Sequence, residues 1–341
     1  MHKFARILSS FRTVVRKGSP VAIPRVAVGG MCVGAACVAV APVAIACDSP
    51  RPVLVTELPN DLKLKDCRVT LYQFESCPFC RKARAVLDFA KVGYDVVEVN
   101  PLTKSETKWF ASDYKKVPIV LIEEEGGRSF QIRDSKLIIN AILKATGRLN
   151  SEGTIRFPSA VKLNEEITLD EQTYAHMSTD EAWIKWTEAY LLQLVVVNIY
   201  GTMAESRETF DYLLTHKDFG WVAREASYWA GSLVMNLVAR SRLKKYVAIQ
   251  GRHREAFFAA CADLGSATRG EFIGGKNPSA ADLNAYGVIR SLEGTRTLKE
   301  AIEGGAGEEF KTWYANMNKA VGPSMMKSKV NATSRGNSVK L

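Results

Sequence analysis

From Cys67 onward the hydrophobic positions change period several times, and each change marks an element. Residues 67–74 form a run of β-branched and aromatic side chains, Val69, Thr70, Leu71, Tyr72 and Phe74 among them, that predicts a strand. Cys77 to Val92 follows with Ala83, Val86, Leu87 and Ala90 at helical spacing. Residues 94–100 alternate as a second strand. Lys104–Tyr114 is a helix candidate, and Val117–Ile122 is apolar enough for a buried strand. Gly126-Gly127 marks a tight turn into Arg128–Ile132, and Ser135–Thr146 predicts a helix closed by Gly147. The order β-α-β-α-β-β-α over 67–147 predicts a mixed sheet covered by helices, an α/β thioredoxin-like domain.

Beyond it the pattern becomes helical throughout. A polar linker or insert (148–179) leads into an all-α region, 180–322. Leu191–Val197 is apolar on most sides. Phe219–Leu243 repeats Trp221, Val222, Ala226, Trp229, Leu233 and Leu237 as a long amphipathic helix, and 254–265 and 282–292 add two more. Ser279 and Asp282, just after Pro278, form a capping box with Asp in place of the usual Glu or Gln, a folding signal rather than a chemical one. Residues 48–66 carry Pro50, Pro52 and Pro59 among polar residues and read as a linker.

Charge changes this picture only at the ends. The chain of 341 residues has a net charge of +10. Lys3, Arg6, Arg12, Arg16, Lys17 and Arg25 fall in 1–25, and Lys327, Lys329, Arg335 and Lys340 fall in the basic tail 323–341, with no acid in either stretch. The span between is neutral, so a nucleic-acid groove on the folded part is not expected. The acid-free, amphipathic 1–25 has the composition of a mitochondrial targeting segment. Residues 26–47 contain no charge and are long enough at helical rise to span a bilayer, which predicts a transmembrane anchor. A cleavable secretory signal ending near Ala44-Ile45-Ala46 and a longer cleaved presequence are the competing readings. With the anchor retained, the expected location is the inner mitochondrial membrane.

Candidate chemistry then narrows to two of the seven cysteines, Cys77 and Cys80, spaced Cys-x-x-Cys where the first strand meets the first helix. Amides and dipole at a helix start favour a thiolate. Cys77 is the expected nucleophile and Cys80, one turn inward, the resolving thiol, with Pro78 suited to an early helical position and Arg81, Lys82 and Arg84 adding positive charge. Half of a zinc site is the alternative, but the four histidines are scattered and no second Cys-x-x-Cys exists, so no metal is expected.

The strand, C-P-F-C at a helix start, Val117-Pro118 before a strand and Asp134-Ser135 before a helix together resemble glutaredoxins and the N-terminal half of glutathione transferases. That resemblance implies a glutathione site built by Phe74, Pro78, Phe79, Val117, Pro118, Asp134 and Ser135, with the proline cis. It also implies a C-terminal domain of the transferase type over 180–322. The strings LYQFESCPFCRKARAVLDF, VVEVNP, YKKVPIV and GGKNPSAADLNAYGVIRSLEG further resemble the membrane-associated prostaglandin E synthase type 2 family. This implies isomerisation of the prostaglandin H endoperoxide by the Cys77 thiol, and a homodimer. It also implies haem binding, to which Arg242 would contribute. The sequence departs from that family at Phe74, where a tyrosine is usual, and at Tyr190, Gln193 and Tyr246, which replace haem-facing positions. Two other functions fit the same residues: a thiol–disulfide oxidoreductase, and a non-catalytic subunit of a larger mitochondrial membrane complex. The expected small-molecule partner is accordingly a thiol or a lipid endoperoxide.

Overall fold

The computed structural model describes residues 51–149, 156–215 and 220–330, so the expected targeting segment 1–25 and anchor 26–47 lie outside the described residues. Among the described residues there are eight strands: β1 (Val53–Leu54), β2 (Cys67–Gln73), β3 (Tyr94–Glu98), β4 (Ile119–Glu124), β5 (Ser129–Arg133), β6 (Val161–Lys162), β7 (Thr168–Leu169) and β8 (Met326–Lys329). Six of them form one sheet in the order β1-β5-β4-β2-β3-β8. β2 runs parallel to β3 and antiparallel to β4, and every residue of it except Arg68 is buried. A strand buried on both faces needs the near-continuous apolar run that 69–72 supplies.

Helix α1 (Pro78–Phe89) starts directly after the β2 turn with Pro78 in its first turn, where the missing N–H costs nothing. The expected helix over 104–114 is shorter than its pattern, a 3₁₀ turn (Ser105–Thr107) and the four residues of α2 (Lys108–Ala111). Its start is delayed because Asn100 Oδ1 accepts from the amides of Leu102 and Thr103, closing a local turn first. α3 (Ser135–Ala145) follows β5, capped by the Asp134 side chain on the Lys136 amide.

Two segments differ from the sequence-based expectation. Within 48–66, expected as linker, β1 pairs in parallel with β5, and Leu58, Leu62 and Leu64 are buried. Within the expected tail, β8 pairs in parallel with β3. Both strands are too short to show alternation. The insert 148–179 carries the β6–β7 hairpin and α4 (Glu171–Tyr174), and the Arg156 guanidinium donates to Asp263 Oδ1 at 2.6 Å.

The second half is helical: α5 (Thr179–Trp186), α6 (Leu192–Ile199), α7 (Met203–Phe210), α8 (Tyr212–Thr215), α9 (Trp221–Lys245), α10 (His253–Gly265), α11 (Ala280–Ile289), α12 (Arg296–Glu300) and α13 (Gly307–Val321). A π-helical turn, Thr187–Leu191, joins α5 to α6. α11 lies across α1 so closely that a Cβ on Gly287 would stand 2.4 Å from Lys82 Cα. The Ser279–Asp282 box is formed as expected. The Asp282 carboxylate, fully buried, accepts from the amides of Ile273, Gly274 and Ser279 and from the Trp313 indole at 2.8–2.9 Å. Among the described residues no helix is long and apolar enough to cross a membrane.

Candidate active site

Cys77 is the N-cap of α1, with extended backbone (φ −74°, ψ 123°), so its sulfur faces the unpaired amides of the first turn. The Cys80 thiol and the amides of Cys80 and Phe79 stabilise its thiolate and hold its pKa below the usual thiol value. Cys80 is fully buried, and burial pushes its thiol well above that value, reinforced by its hydrogen bond to Cys77. The two sulfurs are thus separated in acidity, with the accessible one poised to ionise. Neither is in a disulfide.

The cations expected to favour the thiolate are largely spoken for. Arg81 donates to the Glu75 carbonyl and pairs with Glu293 at 3.1 Å. Arg84 Nε donates to Gln73 Oε1 at 2.7 Å. Lys82, with no exposed surface, pairs with Glu188 at 2.8 Å, and its ammonium lies over the Phe79 ring at 5.5 Å. The Arg81 and Lys82 pairs fasten α1 to the helical half, whereas Arg84 bonds a neutral amide of β2 and keeps its charge beside the loop.

Cys77 opens onto a cavity of about 760 Å³ between the two halves. Phe74, Pro78 and Phe79 line it beside the sulfur, and Asp134, Ser135 and Lys136 line it at the start of α3. Leu192, Val196, Phe210, Val234 and Met235 of the helical half give it an apolar lining, and Arg242 and Gln193 line it as well. Asp134 takes a positive φ of 79°, a backbone conformation rarely adopted by a side-chain-bearing residue, and its carboxylate accepts from the Lys136 amide at the start of α3. The Val117–Pro118 peptide is cis. Pro118 is buried, and Val117 packs against the cluster of Tyr72, Val97 and Phe110. These two and Cys80 support the site from behind rather than line the cavity.

The sequence reading missed Glu188, Lys136, Ser76, Tyr200 and Tyr212, all on the cavity wall, and Glu98 behind it. Glu98 is the last residue of β3. Burial pushes its carboxyl up to about 7, although Gln73 Nε2 and the Glu75 amide donate to it at 3.0 and 2.7 Å. Their signal is tertiary: residues 200 and 212 reach the 76 loop only once the helical half has docked.

The residues present do not fit haem. Arg242 Nη1 donates to Gln193 Oε1 at 2.6 Å, and the Tyr246 hydroxyl donates to the same oxygen at 3.1 Å, so the guanidinium is engaged within the protein. No histidine lines the cavity among the described residues. The α3 start, with its amides and Ser135, does fit a small carboxylate-bearing thiol.

Residues 71–148 match the family model for the glutathione S-transferase N-terminal domain. Prostaglandin E synthase 2 of Mus musculus is 31% identical over 344 residues, covering 93% of this chain and 86% of that protein. Prostaglandin E synthase 2 of Danio rerio is 30% identical over 289 residues, covering 78% of this chain and 73% of that protein. Among solved structures, glutaredoxin 2 of Salmonella typhimurium in complex with glutathione is 16% identical, with a TM-score of 0.40 over 74% of this chain and 94% of that one.

Proposed function

The chain belongs to the prostaglandin E synthase 2 family, and on that premise we propose that it is a glutathione-binding thiol isomerase that converts prostaglandin H to prostaglandin E at Cys77. The observation that carries this reading is a thiol of lowered pKa opening onto a large cavity with an apolar lining from the helical half. In this reading the Cys77 S–H donates to the peroxide oxygen on C11, and the amides of Phe79 and Cys80 and the Cys80 thiol hold the thiolate left behind. As the O–O bond breaks, loss of the C9 proton turns the C9–O bond into a ketone carbonyl. The oxygen on C11 becomes a hydroxyl, and the released proton restores the thiol. Atoms are conserved and no electrons pass between protein and substrate. Glutathione would sit with a carboxylate at the α3 start, over Asp134 and Ser135.

A second reading has its own support in the hydrogen bond between the Cys77 and Cys80 thiols, which suits a glutaredoxin-like thiol–disulfide exchange in which Cys80 resolves a mixed disulfide on Cys77. Purified protein with prostaglandin H, and separately with a glutathionylated peptide, tests both. Loss of prostaglandin E formation in Cys77→Ser but not in Cys80→Ser supports isomerisation. Loss of deglutathionylation in both variants supports exchange. Turnover of neither substrate by the unaltered protein sinks both and leaves the role of a non-catalytic complex subunit.

The proposal extends to location: residues 1–25 as a mitochondrial address and 26–47 as an inner-membrane anchor, the latter resting on an uncharged stretch of spanning length. Release of the full chain from mitochondrial membranes by alkaline carbonate would overturn the anchor. A homodimer is the proposed assembly, to be read by sedimentation.

A further inference from the structure

A buried polar network lies behind the thiol loop, and the isomerisation assigns it no role. Glu98 sits at the end of β3, and its hydrogen-bond donors are an amide side chain, a backbone N–H and a phenol. Gln73 Nε2 comes from β2, the Glu75 amide from the thiol loop, and the Tyr212 hydroxyl from the helical half. None of the three carries a charge to offset a carboxylate. Tyr212 also hydrogen-bonds Ser76, and so does Tyr200 from the end of α6. Ser76 is the residue immediately before Cys77. A carboxyl on the sheet and two phenols from the helical half therefore converge on the loop that presents the nucleophile.

The charged groups facing this network come from each element around it. Arg84 of α1 reaches it through Gln73. Glu75 of the loop is paired with Lys329 of β8 at 2.9 Å. The thiols of Cys77 and Cys80 both feel the Glu98 charge, which opposes the ionisation of each.

We propose that Glu98 is a positioning residue that modulates the ionisation of Cys77, with Tyr212 and Ser76 coupling the carboxyl to the loop from the helical half. Protonated, Glu98 leaves the thiolate free to form; ionised, it places a second negative charge behind the sulfur. Because burial pushes the Glu98 carboxyl up to about 7, this change of state falls in the neutral range. Tyr212 donates to the charged form and so favours it, and Gln73 and the Glu75 amide do the same. The inference rests on Cys77 being the reactive thiol.

The test is the pH dependence of Cys77 alkylation by iodoacetamide, read by mass spectrometry on the Cys77–Cys80 peptide, in the unaltered protein and in Glu98→Gln and Tyr212→Phe. The unaltered protein is expected to ionise over a broad range, since two interacting groups titrate together. Glu98→Gln should narrow the profile to a single step and move it down by on the order of half a pH unit. Tyr212→Phe removes a donor to the carboxylate, so the Glu98 ionisation, and the broad part of the profile, should move to higher pH. A folded Glu98→Gln protein whose profile overlays the unaltered one overturns the proposal. If Glu98→Gln does not fold, an unmoved profile in Tyr212→Phe does so instead. Failure of Cys77 to alkylate in every form below pH 9 would strike at the nucleophile itself and not at Glu98.

Discussion

Lys82 has no exposed surface, yet carries a charge, and it is ion-paired with Glu188 on the π-helical turn of the other half. Burial lowers its pKa, and the Glu188 carboxylate opposes that shift. Replacing Glu188 by alanine strands a buried ammonium, and a loss of about 2 kcal/mol is expected in urea unfolding. That is less than the ~3–5 kcal/mol of a fully buried pair, because solvent still reaches part of Glu188. Lys82→Met with Glu188→Gln should recover most of it, since the apolar stem already fills the space. The meeting of Cys77 and Cys80 was legible because a Cys-x-x-Cys spacing at a helix start sets two thiols one turn apart, which is a spacing in sequence. The partner of Lys82 was not, since nothing in residues 82 and 188 taken singly says that they meet.

At the scale of elements, the two halves are joined where α11 meets α1, and within the helical half the Asp282 carboxylate gathers five donors from Ile273, Gly274, Ser279 and Trp313. Asp282→Ala leaves the amides of Ile273, Gly274 and Ser279 and the Trp313 indole buried without their acceptor. Each unsatisfied group costs about 1–3 kcal/mol, so the variant should fail to accumulate as folded protein at 37 °C. Far-ultraviolet circular dichroism and recovery in the soluble fraction would check this, with native stability in Asp282→Ala as the refuting result. The element order β-α-β-α-β-β-α and the capping box could be read directly, because each rests on local periodicity or a fixed offset. β1 and β8 could not: two and four residues on the sheet edges carry no alternation, and their pairing is decided by neighbours distant in sequence. The Phe74 to Phe79 loop was expected to face a ligand, and it lines the cavity at Phe74, Ser76, Cys77, Pro78 and Phe79.

The whole molecule is fastened at its last described strand. β8 covers the edge of β3, the Met325 amide donates to Asp88 at 2.8 Å, Ser328 donates to Asp95 at 2.7 Å, and Lys329 pairs with Glu75 beside the thiol loop. A chain ended after Gly322 keeps every helix among the described residues but bares the β3 edge, and an uncovered edge invites pairing with other chains. It should unfold at lower urea and aggregate at concentrations where the full chain stays clear, as light scattering would show; identical behaviour of the two chains would refute this. The same strand sets an order of events during synthesis. Asp95 and Ser328 are 233 residues apart, so at ribosomal rates the β3 edge waits roughly 10–50 s for its partner to be made. Through that interval the thiol loop lacks Lys329, the partner of Glu75, and the strand beside it has an open edge. Cys77 thus belongs to a module whose sheet is completed last, after the helical half has emerged.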